Sequence, residues 1–315
     1  MATYAVATAF GGPEVLALRE EELPAPGPGQ VLLDVRAAGV NPIDAKLYSG
    51  AWGRDESKLP MRLGFEAAGV VRAVGADAVS PGGAVSVGDE VIAYLVQGGY
   101  AEQLLVPASA LAPRPAEASW EEAAGLMLAG TTAVHAVTAT GVRAGDTVLV
   151  HGAAGGVGSM VVQIAKARGA HVIGTASAGR NQSLREWGVQ PVEYGEGLAE
   201  RVREVASGGV DAAIDTVGTD EAIDVSLELV GDRQRIATIA AFDRAQQDGF
   251  KALGGGPGAD PGTDLRDAAR LELVSLVEEG QIEVFIDEVF PLTEVVAAHQ
   301  KLLRGHAHGK LVLVP

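Results

Sequence analysis

The amino-acid sequence predicts an α/β protein with two domains: a partly closed β-domain, and a domain with a parallel sheet covered by helices on both faces. Three observations carry this prediction. The chain has 315 residues, and about 150 residues per domain is usual. Short apolar runs between glycines and prolines fill roughly the first 110 residues. From residue 119 to about 255, strand and helix patterns alternate, which is typical of a parallel sheet covered on both faces.

Composition excludes several classes of protein. The sequence has 24 Lys and Arg against 41 Asp and Glu, a formal net charge of −17. An acidic surface repels phosphate backbones and anionic lipid, so neither nucleic acid nor a membrane is expected as a partner. Without cysteine there is no disulfide, thiolate zinc site, iron–sulfur cluster or cysteine nucleophile. No signal-peptide pattern and no long apolar run occurs, so we expect a cytoplasmic protein.

The elements of the first part of the chain are short strands between turn residues. The predicted strands lie at 31–35, 69–74 and 100–106, and a turn at 87–89 leads into a further strand that ends near 93. Ser119, followed by Trp120 and two glutamates, predicts the start of a helix because serine caps and acidic residues favour the first turn.

The alternating region and the C-terminal part follow in order. Predicted strands occupy 147–151, 171–175, 210–215, 235–239, 284–290 and 310–314, and predicted helices occupy 157–168, 182–187, 264–279 and 293–304. The cluster Gly254-Gly255-Gly256-Pro257-Gly258 breaks the pattern and predicts a domain boundary. We therefore expect domain boundaries near residues 119 and 258.

The most informative segment is a glycine-rich turn between a strand and a helix. Against the pattern G-x-G-x-x-G, it has alanine at 153 and glycines at 155 and 158. Gly155 allows the backbone to approach a pyrophosphate, Gly158 allows the helix to pack on the strand, and the N–H groups of the first helical turn face the anion. The predicted cofactor-binding residues here are Ala154, Gly155, Gly156, Val157 and Gly158. The alternative is a tight turn that binds no ligand.

The end of the next strand distinguishes the two common dinucleotides. Enzymes that use NAD usually carry Asp or Glu about 20 residues after the glycine motif to bind the ribose 2′-hydroxyl. Here no carboxylate follows the strand until Glu186, whereas Ser177 and Arg180 offer a hydroxyl and a guanidinium that suit a 2′-phosphate. The sequence therefore predicts NADP(H). In the alternative, Ser177 caps a helix and Arg180 is a solvated loop charge.

Motifs along the whole chain resemble the medium-chain dehydrogenase/reductase superfamily, in particular its zinc-free quinone oxidoreductase branch. The similar segments lie at 35–44, 63–71, 87–91, 98–102, 128–133, 153–158 and 309–313. The resemblance implies a GroES-like substrate domain formed by residues 1–118 and 259–315. It also implies an inserted Rossmann domain with a doubly wound parallel sheet, formed by residues 119–258, and a cofactor in the cleft between the two domains. It also implies hydride transfer from NADPH to a quinone or an α,β-unsaturated carbonyl compound, and homodimers formed through the Rossmann edge.

Two positions differ from the zinc-dependent branch of this superfamily. Asn41 stands where those alcohol dehydrogenases have cysteine, and Phe65 where they have histidine. Neither side chain supplies a thiolate or an imidazole, and without a Lewis acid an alkoxide is hard to generate for alcohol oxidation. We therefore expect no metal and the reduction of an acceptor that is already electron-poor. His306 and His308 are expected to belong to a surface loop rather than to a metal site.

The resemblance also suggests site residues. Asn41, Asp44 and Tyr48 are the catalytic candidates: Asn41 as a donor to a carbonyl oxygen on which charge develops, and Tyr48 as the proton donor. Their alternatives are a local turn, a helix cap and packing. Trp52 and Phe65 are expected in the pocket wall. Further candidates for cofactor contact are Thr132, Val217, Ile239, Ala240 and Leu253.

Two other functions stay open from the sequence. A dedicated enoyl reductase of a biosynthetic pathway would carry the same motifs. An NADPH-binding protein with little turnover, acting as a sensor, a structural protein or a partner subunit, is suggested by the few acid–base side chains among the site candidates. For an enzyme, the expected partner is a small-molecule quinone or enone substrate.

Overall fold

The computed structural model describes residues 1–305 and 307–315, so His306 lies outside the described residues. The chain divides into two units, one formed by residues 1–128 and 270–315 and the other by residues 129–269. We call the first the antiparallel unit and the second the parallel unit, after the strand pairing described below. Nowhere in the described chain is a helix both long and apolar enough to cross a membrane.

The strands of the described residues are numbered along the chain. They are β1 (Ala2–Ala7), β2 (Leu16–Glu21), β3 (Gln30–Val40), β4 (Met61–Arg62), β5 (Glu66–Val74), β6 (Val79–Ser80), β7 (Gly83–Ala84), β8 (Glu90–Tyr94), β9 (Gln103–Pro107), β10 (Leu111–Pro113), β11 (Thr147–His151), β12 (His171–Ala176), β13 (Gln190–Glu193), β14 (Ala212–Asp215), β15 (Ile236–Thr238), β16 (Lys251–Ala252), β17 (Ile286–Pro291) and β18 (Lys310–Val314).

The α-helices are numbered in the same way. They are α1 (Pro42–Tyr48), α2 (Trp120–Ala139), α3 (Gly156–Ala167), α4 (Asn181–Glu186), α5 (Leu198–Val205), α6 (Asp220–Leu229), α7 (Phe242–Asp248), α8 (Thr263–Glu278) and α9 (Val295–Leu303). The strands β11 and β18 have the predicted bounds, and most other predicted elements differ from the structure by one to three residues at an end.

In the antiparallel unit, β3 organises the larger sheet. The sheet has the order β10-β8-β5-β3-β18-β17, with β9 paired to β3 as well. On one side β3 pairs with β5; on the other its first half pairs with β9 and its last residues pair with β18. A bridge between Tyr4 and Ala101 links the smaller sheet, β2-β1-β4, to the segment before β9. This splitting of partners along one strand gives the partly closed β-domain that the sequence predicts.

The parallel unit contains a six-stranded, fully parallel sheet in the order β13-β12-β11-β14-β15-β16. The order reverses direction between β11 and β14, which is the arrangement of doubly wound dinucleotide-binding folds. In such sheets the ligand binds outside the carboxyl ends of the strands at this switch point. Buried aliphatic side chains such as Leu149, Ile173, Ala213 and Ile236 pack the sheet against its helices.

The boundaries between the units lie inside helices α2 and α8. The boundaries expected from sequence lie in the loops before these helices. The two divisions therefore differ in how the first part of each helix is assigned. Both helices continue across the boundary between the units, so composition alone does not show where the packing partners of each helix change.

Candidate active site

The glycine-rich turn lies between β11 and α3, at the switch point of the sheet. Gly152 has a φ of +73°, a left-handed conformation that favours glycine. Gly155 then donates its N–H to the Gly152 oxygen at 3.0 Å. A Cβ atom on Gly158 would lie 2.0 Å from the same oxygen, so a side chain there would push the helix away from the turn. The predicted role of Gly158 in close packing therefore has a direct steric basis.

Ala153 in the first glycine position is accommodated by a glycine on the neighbouring strand. Its side chain is fully buried, and its N–H donates to the Thr175 oxygen at 3.0 Å. A Cβ atom on Gly174 would lie 2.7 Å from the Ala153 methyl carbon. Gly174 thus provides the space that the methyl group of Ala153 occupies, and the turn keeps its geometry.

The first turn of α3 presents N–H groups without acceptors inside the helix. These belong to Gly156, Val157 and Gly158, the first three helical residues, and the residue before them, Gly155, has extended backbone and no side-chain cap. Residues 154–157 are partly exposed. This combination of small residues, unused donors and the positive end of a helix dipole fits a phosphate group of a dinucleotide.

Arg180 supplies a positive charge after β12. Ser177 is exposed, and the guanidinium of Arg180 has no hydrogen-bond or ion-pair partner within residues 1–305 and 307–315. The carboxylate that lies nearest along the sheet edge is Glu193 on β13, which is in register with Ala176 and accepts from Asn181 at 3.2 Å. No acidic residue follows β12 directly, so the end of this strand suits a 2′-phosphate better than a 2′-hydroxyl.

Sequence reasoning missed Tyr194. It follows β13 directly, and because Glu193 pairs in register with Ala176, Tyr194 lies beside Ser177 along the sheet edge. Its side chain is 60% exposed, although tyrosine side chains are usually at least half-buried. The signal was present as an aromatic residue at the end of a strand, but β13 is four residues long and was not predicted.

The loops after β14 and β15 carry the other predicted cofactor residues of the sheet edge. Val217 is 49% exposed, whereas Ile239 and Ala240 are partly exposed. Leu253 is buried and donates its N–H to the Thr238 oxygen at 2.9 Å. Sequence reasoning identified these stretches, and the structure brings all of them to the carboxyl ends of adjacent strands.

A buried carboxylate connects these two loops. Asp215 Oδ1 accepts from the N–H groups of Val217 and Gly218, both at 3.0 Å, and Asp215 Oδ2 accepts from the Thr238 hydroxyl at 2.6 Å. Thr238 Oγ1 in turn accepts from the N–H groups of Ala240 at 3.0 Å and Ala241 at 2.9 Å. Asp215 and Thr238 are both fully buried.

His151 at the end of β11 is a neutral structural residue. Its Nε2 lies 3.1 Å from the Ser226 hydroxyl and its Nδ1 lies 3.3 Å from the Thr175 hydroxyl. Burial lowers the pKa of His151 to about 4. The Ser159 hydroxyl donates to the Gly156 oxygen at 3.1 Å and not to His151.

Thr132 lies on α2 within the parallel unit and is held by an arginine. Arg266 Nη1 donates to Thr132 Oγ1 at 3.1 Å, and Arg266 Nε donates to His135 Nδ1 at 3.3 Å. Burial and the neighbouring guanidinium lower the pKa of His135, so the ring stays neutral and accepts this bond. Its Nε2 then faces Asp260 at 3.4 Å.

Asn41 belongs to a buried polar network of the antiparallel unit. Its Nδ2 donates to the Gly39 oxygen at 3.1 Å and to Glu66 Oε1 at 3.0 Å, and its Oδ1 accepts from Lys310 Nζ. Lys310 also donates to Glu66 Oε1 at 2.8 Å. Both N–H bonds of the Asn41 amide are therefore engaged within the protein. A role as donor to a substrate oxygen requires one of them to break, and it stays a prediction.

Asp44 is buried at the start of α1. Its Oδ1 accepts from the N–H of Gly64 at 2.8 Å, and its Oδ2 accepts from the Tyr100 hydroxyl at 2.8 Å and the Asn41 N–H at 3.2 Å. Burial raises the pKa of Asp44 to about 6, although these donors lower it. The contacts are those of a residue that joins α1 to the 63–64 segment, so the helix-capping alternative accounts for its position.

Tyr48 ends α1 and is also buried. Its hydroxyl lies 3.1 Å from His299 Nδ1, and the two rings meet edge-on with centroids 5.3 Å apart. Burial raises the pKa of Tyr48 and lowers the pKa of His299 to about 4. His299 Nε2 is buried without a hydrogen-bond partner among the described residues. The role of Tyr48 as proton donor stays a prediction, and its position fits packing.

Trp52 and Phe65 are more accessible than the three catalytic candidates. Trp52 is partly exposed, and Lys46 Nζ lies 5.5 Å from the centre of its ring. Burial lowers the pKa of Lys46. Phe65 is partly exposed, and its backbone oxygen accepts from Val96 at 3.2 Å. Both side chains are apolar surfaces within the antiparallel unit, consistent with the predicted pocket wall.

No cluster of three or more His, Asp or Glu side chains with metal-site geometry occurs in residues 1–305 and 307–315. At the two positions that distinguish the zinc-dependent enzymes, Asn41 binds Lys310 and Glu66, and Phe65 offers no ligand atom. The chemistry of these side chains does not fit a zinc ion.

Comparisons with known proteins agree with this architecture. A family model described as an alcohol dehydrogenase GroES-like domain matches residues 27–116, and one described as a zinc-binding dehydrogenase matches residues 189–313. The fold and site therefore define a member of the medium-chain dehydrogenase/reductase class, with a GroES-like domain and a Rossmann domain.

Full-length relatives identify the branch. A quinone oxidoreductase of Pseudomonas aeruginosa is 35% identical, with 98% of each chain covered. The structure of the Escherichia coli quinone oxidoreductase complexed with NADPH has a TM-score of 0.85 at 29% identity and covers 99% of this chain and 100% of that one. A mycobacterial protein complexed with NADPH has a TM-score of 0.86 at 32% identity, with 99% and 100% covered. The chain belongs to the quinone oxidoreductase family.

Proposed function

We propose that this protein is an NADPH-dependent oxidoreductase that reduces quinones or α,β-unsaturated carbonyl compounds by hydride transfer, without zinc. The observation that carries the proposal is the carboxyl edge of the parallel sheet. There the glycine-rich turn excludes side chains next to the N-terminus of α3, and Arg180 has no partner within the described residues. Three similar proteins support it: the quinone oxidoreductase of Pseudomonas aeruginosa, the Escherichia coli quinone oxidoreductase complexed with NADPH, and a mycobacterial protein complexed with NADPH.

The proposed cofactor contacts are distributed along this edge. Residues 154–158 bind the pyrophosphate through backbone N–H groups, and Ser177 and Arg180 bind the 2′-phosphate. Tyr194 offers its exposed ring to the adenine. Thr132, Val217, Ile239, Ala240 and Leu253 contact the nicotinamide half. When bound, NADPH supplies the hydride, so the protein's contribution is to bind, orient and exclude water.

The acceptor chemistry follows from which groups the chain lacks. Asn41 and Phe65 replace the side chains that bind zinc in the related alcohol dehydrogenases, so no Lewis acid is available to generate an alkoxide. Reduction of a quinone or an enone needs less assistance because the acceptor already attracts the hydride. Trp52 and Phe65 provide flat apolar surfaces for such an acceptor.

The buried candidates act by position in this proposal. Asn41 and Asp44 use their polar atoms within the antiparallel unit, and Tyr48 is bonded to His299. They fix the start and end of α1 and with it the segment that carries Trp52. The proton that balances hydride transfer then comes from water rather than from a buried side chain.

The test is NADPH oxidation followed by the loss of nicotinamide absorbance. The acceptors are 1,4-benzoquinone, a larger naphthoquinone and a simple enone, each with NADPH and with NADH. Arg180→Ala should raise KM for NADPH by about tenfold or more, since a charge-assisted bond contributes about 1.5–3 kcal/mol, and should leave NADH turnover unchanged. Arg185→Ala, an exposed arginine on α4, is the matched control.

Each other outcome selects a different function. Equal or better use of NADH would overturn the cofactor assignment. Turnover confined to one enone would favour a pathway-specific enoyl reductase. NADPH binding without turnover of any acceptor would favour the sensor.

Three further features belong to the proposal. The protein is a homodimer through the edge of its parallel sheet, where β16 is only two residues long and leaves the edge open. Light scattering on the purified chain tests whether it forms a dimer.

The second feature is that the protein acts in the cytoplasm, a location in which proteins without disulfides are usual. Cell fractionation tests this location. Residues 1–118 with 259–315, and residues 119–258, are the substrate and cofactor domains.

A further inference from the structure

We propose that Asp215 and Thr238 form a clamp that pre-orders the nicotinamide half of the cofactor site. They are positioning residues, because their side-chain atoms bind protein backbone rather than cofactor. The inference rests on the proposed use of NADPH. It concerns two residues that sequence reasoning did not select, and it is carried by hydrogen bonds that lie entirely within the parallel unit.

The first half of the clamp is the Asp215 carboxylate. It is fully buried, and it stands at the end of β14, next to the switch point of the sheet. Oδ1 accepts from Val217 and Gly218 at 3.0 Å, and Oδ2 accepts from Gly218 at 3.1 Å and Thr238 at 2.6 Å. Three donors make four contacts with the two oxygens, and no positively charged side chain is among them. The carboxylate therefore accepts hydrogen bonds that order the loop after β14.

The second half is the Thr238 hydroxyl. It donates to Asp215 Oδ2 and so directs its lone pairs to the N–H groups of Ala240 and Ala241, at 3.0 and 2.9 Å. Ile239 donates its own N–H to the Asp215 backbone oxygen at 3.1 Å. Every N–H from 239 to 241 is thus fixed by Asp215 or Thr238. One buried hydroxyl transmits the position of the β14 end to the loop after β15.

The two loops also touch. Gly218 has a φ of +83°, and a Cβ atom there would lie 2.9 Å from the Ala240 methyl carbon. Thr216 donates its hydroxyl to the His151 oxygen at 2.7 Å, which ties the β14 loop to the end of β11 and the glycine-rich turn. Val217, Ile239 and Ala240, all proposed nicotinamide contacts, therefore stand on a loop pair whose shape is set before the cofactor arrives.

Pre-ordering of this kind strengthens binding because less loop entropy is lost when the ligand binds. It should act on the nicotinamide half alone. The pyrophosphate turn follows β11, Ser177 and Arg180 follow β12, and the side chains of Asp215 and Thr238 form no hydrogen bond with any of them. A clamp therefore differs from a residue that merely stabilises the fold, because it distinguishes a complete dinucleotide from its adenosine half.

The experiment compares two probes by calorimetry: NADP⁺, and adenosine 2′,5′-bisphosphate, which lacks the nicotinamide half. Thr238→Val keeps the shape of the side chain and removes the hydroxyl. We expect its Kd for NADP⁺ to rise about tenfold, the effect of one or two lost hydrogen bonds, and its Kd for the bisphosphate to stay within about twofold. Thr238→Ser retains the hydroxyl and should restore NADP⁺ binding to within about threefold.

Thr140→Val is the matched control. Thr140 is a buried threonine of the parallel unit whose hydroxyl donates to the Ala136 oxygen at 2.7 Å and touches neither loop. Both probes should bind this variant as they bind the wild-type protein. If Thr238→Val does not fold, Asp215→Asn takes its place, since a carboxamide offers one acceptor atom where the carboxylate offers two.

The outcomes separate the clamp from the function on which it rests. Equal loss of both probes in Thr238→Val, or no loss of either, would overturn the clamp while NADP⁺ binding by the wild-type protein still supported the proposed function. A wild-type protein that binds the bisphosphate and NADP⁺ no better than it binds AMP would overturn the proposed function and the clamp with it.

Discussion

The parallel unit and the antiparallel unit use buried polar side chains in different ways. At the edge of the parallel sheet, Asp215 and Thr238 bind backbone N–H groups two or three residues further along the chain, and one bond joins them across 23 residues. In the antiparallel unit, Asn41, Glu66 and Lys310 meet across separations of 25, 244 and 269 residues. The first arrangement shapes loops that we propose as cofactor contacts. The second joins distant strands and one helix into a single domain.

This difference predicts where each unit is sensitive. Loss of a polar group at the sheet edge should change binding, because the affected loops are partly exposed and the sheet below them is apolar. Loss of a polar group in the antiparallel unit should change stability, because Glu66 and Lys310 are buried and hold β5 to β18 across β3.

The largest effect is expected for Lys310→Met. The Lys310 ammonium donates to Glu66 Oε1 at 2.8 Å, and Glu66 is fully buried. Removal of one partner leaves an uncompensated buried charge, which costs about 3–5 kcal/mol of unfolding free energy. Urea unfolding measures the loss.

Lys301→Met is the control for this variant. Lys301 also forms an ion pair, at 2.6 Å to Asp287, but its side chain is 30% exposed. Its loss should cost no more than about 1 kcal/mol. If the two variants lose equal stability, the buried network does not hold the antiparallel unit together and the contrast between the units fails.

The next effect is a pH dependence carried by Asp44. Burial raises the pKa of this carboxyl from 3.8 to about 6 in the folded protein. Between these values the folded chain binds a proton that the unfolded chain does not, so the contribution of Asp44 to stability falls as pH rises through this window. The unfolding free energy of wild type minus that of Asp44→Asn should therefore increase by about 2–3 kcal/mol as pH falls from 6.5 to 3.5, in favour of wild type.

Histidines act in the opposite direction over nearly the same range. Burial lowers the pKa of His299 and of His151 from 6.5 to about 4, so each favours folding as pH rises from 4 to 6.5. Both histidines are present in wild type and in Asp44→Asn, and their contributions cancel in the difference. Urea unfolding at half-unit pH steps gives the two curves. Parallel curves would show that Asp44 carries no raised pKa.

The same contrast explains what the sequence could predict. The glycine-rich turn is a local pattern, because the close approach of Gly158 to the Gly152 oxygen joins residues only six positions apart. The turn could therefore be predicted before the structure was known. The parallel sheet could be inferred from the alternation of strands and helices. Arg180 could be predicted as a contact of the 2′-phosphate because the lack of a carboxylate directly after a strand is visible in a few consecutive residues.

What the sequence could not predict is non-local or short. The sequence around Asn41 and Tyr48 does not indicate that these residues bind Lys310 and His299, because both partners lie more than 250 residues further along the chain. Both residues were therefore selected as catalytic candidates with no indication of these contacts, and their catalytic roles stay predictions. The strands β1 and β2 and the helices α5 to α7 were not predicted, since they are at most ten residues long and their apolar faces are narrow. The clamp at Asp215 required the register of two strands.

The smallest effect is expected for Tyr48→Phe, and it decides between catalysis and packing for the proposed proton donor. The Tyr48 hydroxyl is buried and bonded to His299, so its loss should cost about 1–2 kcal/mol of unfolding free energy, the value of one buried hydrogen bond with its partner left unpaired. Turnover with 1,4-benzoquinone should stay within about twofold of wild type. A general acid would give a loss of roughly 10²–10⁴ in kcat at unchanged KM for NADPH.

Tyr100→Phe removes an equivalent buried hydroxyl, bonded to Asp44 at 2.8 Å, and controls for stability alone. If kcat collapses in Tyr48→Phe and not in Tyr100→Phe, the antiparallel unit contributes a reacting group as well as a fold, and the division of labour between the two units is wrong.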